Sequence, residues 1–223
     1  MIDSDTLASR GFVVAPGLID PAECRTLAGL WPEKPRFRSH VIMQRHGYGQ
    51  GEYQYFAYPL PGRIEALRQA LYPELAAVAN RWNAELGVAR RFPPTLQGWL
   101  RQCHAGGQKR PTPLLLHYRA GDYNCLHRDL YGELVFPLQA TVLLSDPTKD
   151  FNGGEFMLVE QRPRMQSRGE VVPLGQGDAV IFAVHERPVK GSRGFHRTAM
   201  RHGVSSLRKG ERFTLGIIFH DAA

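Results

Sequence analysis

The residues best suited to chemistry lie in one stretch, His117-Tyr-Arg-Ala-Gly-Asp-Tyr-Asn-Cys-Leu-His127-Arg-Asp129. In an extended segment, residues two apart face the same way. His127 and Asp129 therefore present an imidazole and a carboxylate to one point. A third ligand from a distant strand completes a two-histidine, one-carboxylate face on a metal and leaves positions open for oxygen and an organic ligand. That geometry suits non-haem Fe(II). A His-x-Asp pair is weak by itself, because chance places one in many chains and a surface ion pair explains it as well. The far end of the chain strengthens it. The run His202-Gly-Val-Ser-Ser-Leu-Arg-Lys-Gly-Glu-Arg212-Phe-Thr214 reads as a histidine entering a strand, a turn at Lys209-Gly210, and an arginine on the next strand. Arg212 and Thr214, two apart, point the same way, toward the metal. Arginine offers a two-pronged donor fork matched to a carboxylate. A lone buried cation is costly, so an arginine placed there calls for a dicarboxylate co-substrate.

These side chains need a frame, and the chain supplies it in two parts. Up to about residue 112 the signals are mostly helical. Asp20-Pro21-x-Glu23 is an N-cap followed by a proline suited to the first helical turn, and Cys24, Leu27, Leu30 and Trp31 form one apolar stripe before Pro32. Ile64, Leu67, Leu71, Leu75, Val78, Trp82 and Leu86 form a second stripe, which Pro73 is expected to kink or split. Leu96, Trp99, Leu100 and Cys103 form a third. Between the first two, residues 37–61 read as a hairpin with Gly47, Gly49 and Gly51 at its turn. Its aromatics, Tyr53, Tyr55 and Phe56, suit sheet packing first and ligand contact second.

From residue 113 onward the chain is β-rich. Strand-like runs at 114–118, 140–145, 155–159, 171–174, 179–184 and 212–219 are separated by Gly121, Asn152-Gly153-Gly154, Gly175 and Gly177. Short, evenly spaced strands without intervening helices indicate a sandwich, barrel or jelly roll.

Composition narrows the class. The chain has 223 residues, 43% hydrophobic and 22% charged, with a formal net charge of +7. That suits one globular domain over residues 1–223, with 1–112 as helical support plus hairpin and 113–221 as core. No apolar run approaches the roughly 20 residues of a membrane span. The N-terminus lacks a basic region followed by an apolar one, so no signal peptide is read there. Three widely spaced cysteines, Cys24, Cys103 and Cys125, argue against a disulfide framework and for a reducing, cytoplasmic setting.

Taken in order, Tyr118-x-x-Gly121, His127-x-Asp129, Gly153-Gly154-Glu155, Gly177-Asp178-Ala179-Val180-Ile181-Phe182, and His202 followed ten residues later by Arg212 form a set over about 114–221. This set resembles the Fe(II)/2-oxoglutarate-dependent oxygenases, in their prolyl-4-hydroxylase-like branch. The resemblance implies an α+β, mainly β fold, a double-stranded β-helix (jelly-roll) core with N-terminal helices packed against it. It implies Fe(II) held by His127, Asp129 and His202, with O2 and 2-oxoglutarate as co-substrates. The far carboxylate of 2-oxoglutarate would meet Arg212, helped by Thr214 and Tyr118. The spelling Tyr55-Phe56-Ala57-Tyr58-Pro59-Leu60-Pro61 and His202-Gly-Val-Ser is similar to a bacterial oxygenase group described, on prediction, as acting on damaged DNA. Departures exist. Asn124 stands where collagen-type relatives carry tyrosine, Arg212 where they carry lysine, and Ile218 where AlkB-type DNA dealkylases carry a second arginine. His196 and His185 are rival third ligands. His202 ranks ahead of both, because no strand-like run leads into His196. His117 and Cys125 read as packing residues.

The charge map bears on the substrate. Residues 185–212 contain Arg187, Lys190, Arg193, Arg197, Arg201, Arg208, Lys209 and Arg212 against Glu186 and Glu211, six of the seven net positive charges. Such a segment beside the metal suits an anionic substrate, nucleic acid included, with Arg193, Arg197, Tyr55 and Tyr58 as contacts. A solvated loop kept soluble by charge is the plainer reading. Three alternatives stand beside nucleic-acid oxidation: hydroxylation of a protein side chain of the prolyl type, hydroxylation of a free metabolite, and a cupin-like metal-binding sensor without turnover.

Overall fold

Side-chain caps mark where three of the four α-helices of the described residues begin. Across residues 2–223, which the computed structural model describes, the first helix is α1 (Ser4–Arg10). Asp3 accepts from the Thr6 amide at 2.9 Å to start it, and Gly11 ends it in the left-handed region. The first strand, β1 (Phe12–Ala15), follows. In α2 (Pro21–Ala28) the Asp20 carboxylate caps the Ala22 and Glu23 amides. The expected hairpin is β2 (Phe37–Ile42), β3 (Gly49–Gln50) and β4 (Glu52–Phe56), with β2 and β4 paired antiparallel. The long stripe forms α3 (Gly62–Glu85), a continuous helix. Pro73 does not split it, because its ring lies on the exposed side while Leu71, Tyr72, Leu75 and Ala76 pack into the core on both sides of it. Thr95 caps α4 (Leu96–Ala105).

The rest is strand. Ten more elements follow: β5 (Leu114–Arg119), β6 (Tyr123–His127), β7 (Leu138–Leu143), β8 (Phe151–Gly153), β9 (Phe156–Gln161), β10 (Arg168–Val172), β11 (Ala179–Ala183), β12 (Glu186–Gly191), β13 (Gly194–Val204) and β14 (Leu207–Ile218). They form an eight-stranded sheet in the order β1-β11-β7-β14-β5-β4-β2, with β8 on β14, and a six-stranded sheet in the order β10-β9-β13-β6-β3, with β12 on β13. The arrangement is the antiparallel jelly roll, mainly β with few helices. Alternation gives the larger sheet two buried faces. Leu115, Ala140, Val142, Leu215 and Ile217 share a core with Leu67, Leu71, Tyr72 and Leu75 of α3. Leu116, Tyr118, Gln139, Thr141, Arg212 and Thr214 turn the other way and line a cavity facing the second sheet.

Two expectations need correction. Lys209-Gly210 is not a turn. The chain reverses at Ser205-Ser206, the register of β14 against β8 shifts between Leu207 and Lys209, and Gly210 sits inside β14 opposite Phe151. Its φ is +82°, and a Cβ there would meet the Asp150 carbonyl oxygen at 1.9 Å. A strand does lead into His196, which lies on β13 opposite Val189. The β12–β13 hairpin escaped detection because its charged residues and Pro188 mask any alternation.

The C-terminal segment is fastened by a buried ion pair with no sequence signature. Arg68 Nη2 donates to Asp221 Oδ1 at 2.9 Å with both side chains fully buried, and Arg68 Nε donates to the Ile218 carbonyl. The Tyr58 hydroxyl and His104 Nε2 approach Asp221 Oδ2 at 2.8 Å each. Replacing Arg68 by Met leaves a buried carboxylate without its cation, so we expect a loss of about 3–5 kcal/mol in chemical denaturation. A change below about 1 kcal/mol would show that Asp221 finds another partner.

Candidate active site

Cross-strand pairing builds the first half of the site. His127 on β6 is the register partner of His202 on β13, and their ring centroids lie 4.1 Å apart. Asp129 follows two residues beyond the end of β6. These are the one group among the described residues whose ligand atoms all lie within 4.8 Å of one another. His127 Nδ1 lies 2.8 Å from the Cys125 carbonyl, which fixes the proton on that nitrogen and leaves Nε2 as the inward lone pair. That Nε2 is 3.3 Å from Asp129 Oδ1, and His202 Nε2 is 3.3 Å from Asp129 Oδ2. Burial works against the Asp129 charge, but the electrostatic influence of His202 and His127 beside it outweighs burial and holds the carboxyl well below its usual range. Burial lowers His202, and the neighbouring His127 lowers it further. Two nitrogens and one carboxylate converging without an intervening cation make a facial set for a divalent metal.

The other half belongs to the opposite sheet. Arg212 on β14 is 1% exposed and is the register partner of Tyr118 on β5. Among the described residues no carboxylate forms an ion pair with it, and its Nε has no hydrogen-bond partner. Its guanidinium lies 5.6 Å from the Tyr118 ring and 5.9 Å from the Phe151 ring. Burial pushes its pKa down to about 10, still charged at neutral pH. Gly154 admits the arginine stem, since a Cβ there would stand 3.0 Å from Arg212 Cδ. Thr214 Oγ1 lies 3.5 Å from Arg212 Nη1. A desolvated guanidinium flanked by hydroxyls and lacking an internal acid is a cradle for a ligand carboxylate.

Both halves line one cavity of about 380 Å³, together with Asn124, Gln139 and the apolar Leu114, Leu116, Phe156 and Val204. That is room for a five-carbon dicarboxylate and part of a second molecule. Asn124, noted in the sequence only as a missing tyrosine, donates to the Tyr118 hydroxyl at 3.3 Å and so occupies that part of the wall. At the mouth stand Tyr48, 50% exposed, Leu130, 46% exposed, and Arg128. Tyr48 stacks on His46 with centroids 5.4 Å apart. Arg128 went unnoticed in the sequence because it is the spacer of the His-x-Asp pair.

Other sequence candidates fall elsewhere. Tyr55 is buried against Tyr53 and Tyr131, and the Tyr58 hydroxyl is taken by Asp221. Neither lines the cavity. Arg193 lies at the tip of the β12–β13 hairpin and Arg197 within it, bonded to Glu186 at 2.8 Å. Arg187 is buried and paired with Glu160, and Arg208 is paired with Glu155. The basic segment is thus partly neutralised from within. His117 stacks on Phe213 at 4.2 Å, a packing role. His185 and His196 lie outside the three-residue cluster.

Residues 51–222 match the family Oxygenase-NA, described as an oxygenase catalysing oxidative methylation of damaged DNA. Uncharacterized proteins from two strains of Mycobacterium tuberculosis share 54% identity over 168 residues, covering 75% of this chain and 72% of theirs. Among solved structures, a Pseudomonas putida prolyl-4-hydroxylase superposes with a TM-score of 0.57 at 15% identity, over 99% of this chain and 97% of that one. A 2OG-Fe(II) oxygenase family oxidoreductase from Burkholderia pseudomallei gives 0.55 at 14%, over 99% and 90%. A Trichoplax adhaerens prolyl hydroxylase gives 0.58 at 13%, over 96% and 86%. At these identities the likeness is one of fold.

Alanine at His127, Asp129 or His202 is expected to abolish Fe(II) or Mn(II) binding in calorimetric titration, while His196→Ala leaves it unchanged. Metal loss in His196→Ala with retention in His202→Ala would move the third ligand.

Proposed function

We propose that this chain, which belongs to the Oxygenase-NA family, is a 2-oxoglutarate- and Fe(II)-dependent oxygenase that hydroxylates or oxidatively demethylates a base of damaged nucleic acid. The observation that carries the reading is the two-ended cavity, with a metal-ligating triad on one sheet and an unpaired buried arginine on the other. His127 Nε2, Asp129 and His202 Nε2 would hold the iron. Arg212, with Thr214 and Tyr118, receives the far carboxylate of 2-oxoglutarate. With iron, 2-oxoglutarate and O2 in place, oxidative decarboxylation to succinate and CO2 supplies the oxidant that puts one oxygen atom into a substrate C–H bond. The protein's part is geometric. Leu114, Leu116, Phe156 and Val204 keep water from the reacting side, and Arg212 sets the depth at which the co-substrate sits. No acid–base pair is needed. Hydroxylation of an N-methyl carbon gives a hemiaminal that breaks down to formaldehyde and the unmethylated base.

The family description supports nucleic acid as the substrate, as does the cavity mouth. Tyr48 with His46 offers a stacking surface and Arg128 a cation. Arg193 and Arg201, on the hairpin and strand leading to His202, form no ion pair among the described residues. They extend the positive surface toward a phosphate backbone. Peptides are the second class to test, because the P. putida and T. adhaerens structures are prolyl hydroxylases.

Two measurements check this reading. Replacing Arg212 by Met removes a buried charge with no acid partner, so the protein without ligands keeps or gains thermal stability while 2-oxoglutarate affinity falls about 30-fold or more. Unaltered 2-oxoglutarate binding would rule out Arg212 as the anchor. For the substrate, succinate release should rise on adding methylated single-stranded DNA, and DNA binding should weaken with salt and on Arg193→Glu/Arg201→Glu. Stimulation by prolyl peptides and none by DNA would transfer the enzyme to the protein-hydroxylating class.

A further inference from the structure

The orientation of the Asp129 carboxylate has a cause outside the strand ladder. The residue lies past the end of β6, in a segment with no ladder hydrogen bonds of its own, so backbone pairing does not orient its carboxylate. Side chains do. The Tyr131 hydroxyl donates to Asp129 Oδ1 at 2.8 Å, and Gln139 Nε2 donates to Asp129 Oδ2 at 2.8 Å. His127 Nε2 stands 3.3 Å from the first oxygen and His202 Nε2 3.3 Å from the second. Each carboxylate oxygen therefore faces one histidine and receives one neutral donor. The Gln139 amide must present its nitrogen here, because its oxygen would set two acceptors 2.8 Å apart.

Both donors rest on rigid supports. Gln139 belongs to β7 in the middle of the larger sheet, with Phe182 and Ile218 as register partners. The Tyr131 ring packs edge-on against Tyr55 of β4, centroids 6.1 Å apart. The Tyr131 backbone carbonyl accepts from Gln108 Nε2, whose amide also accepts from the Leu134 N–H and donates to the Asp221 carbonyl. Core packing does not require these polar atoms, since Phe and Met would fill the same space. Gln139 even leaves its Oε1 buried without a partner, a cost that a purely packing role does not explain.

We propose that Tyr131 and Gln139 are positioning residues that fix the plane of the Asp129 carboxylate, so that it offers the metal one oxygen rather than two. An unrestrained carboxylate can swing to chelate through both oxygens and take up a coordination position that the co-substrate or O2 needs. With a donor on each oxygen, the oxygen facing away from the metal stays bound to the protein, and rotation is opposed from both sides. Tyr55 acts at one remove, as the wall against which Tyr131 rests. The proposal rests on the triad being a metal site.

The test uses the full chain with Tyr131→Phe, Gln139→Met and the double variant, which keep side-chain volume, alongside Asp129→Ala. Mn(II) affinity is measured calorimetrically, and Co(II) is used as a visible-spectrum probe with and without 2-oxoglutarate. Circular dichroism and thermal unfolding verify the fold. Each single variant is expected to bind Mn(II) about 10-fold more weakly, and the double variant more weakly still. The Co(II) bands of the double variant should differ from wild type, and its metal-loaded form should bind 2-oxoglutarate more weakly. Wild-type affinity and bands in all three variants would overturn the proposal, as would weaker metal binding with unaltered bands and unaltered 2-oxoglutarate affinity. Absence of Mn(II) and Co(II) binding in the wild type would instead overturn the metal site, and this proposal with it.

Discussion

The antiparallel pairing of β6 with β13 is the contact on which the rest of the site depends. It sets His127 opposite His202, so two imidazoles from residues 75 positions apart in the chain share one edge of a sheet. Side-chain alternation turns both inward, and Asp129 needs only a short continuation past the strand end to close the face. A slip of one residue would turn His202 outward. The Ser205-Ser206 reversal and the register shift between Leu207 and Lys209 then carry the same chain across to the other sheet, where β14 delivers Arg212 and Thr214. The two ends of the site are thus mounted on separate sheets and share a single cavity.

Charge is separated along that cavity. The carboxylate of Asp129 is stabilised by the histidines around it, whereas Arg212 is desolvated and, among the described residues, forms no ion pair. A divalent cation with a dicarboxylate would complete both ends at once, the cation beside Asp129 and the far carboxylate beside Arg212. The apolar walls between them raise the energetic value of that match, because little water remains to screen it. The fold tolerates the unmatched arginine because helices α2 and α3 and the N-terminal strand bury a large apolar core on the opposite face of the same sheet.

Much of the basic excess has a structural explanation. Arg187 and Arg208 close salt bridges with Glu160 and Glu155, and Arg197 reaches Glu186. Arg68 holds the C-terminal segment through Asp221. The positive surface left for a partner is smaller than the sequence total suggests, and it includes Arg128, the spacer of the metal motif.

The sequence by itself singled out His127, Asp129 and His202, which the fold brings together, and Arg212 and Thr214, which line the same cavity. Their order and spacing within short strands encode alternation, and alternation decides which side chains face the interior. It also determined the helix start at Asp20, because capping is local. Only the tertiary structure decided how the carboxylate is held and which arginines are already spoken for. Tyr131 and Gln139 meet on Asp129 from a loop and a distant strand, and Arg68 meets Asp221 across 153 positions of chain. Those contacts depend on cross-strand register and loop path, which leave no periodic trace in the residues themselves. The β12–β13 hairpin was hidden for a related reason: its order comes from cross-strand pairing, and its charged residues carry no hydrophobic alternation to announce it.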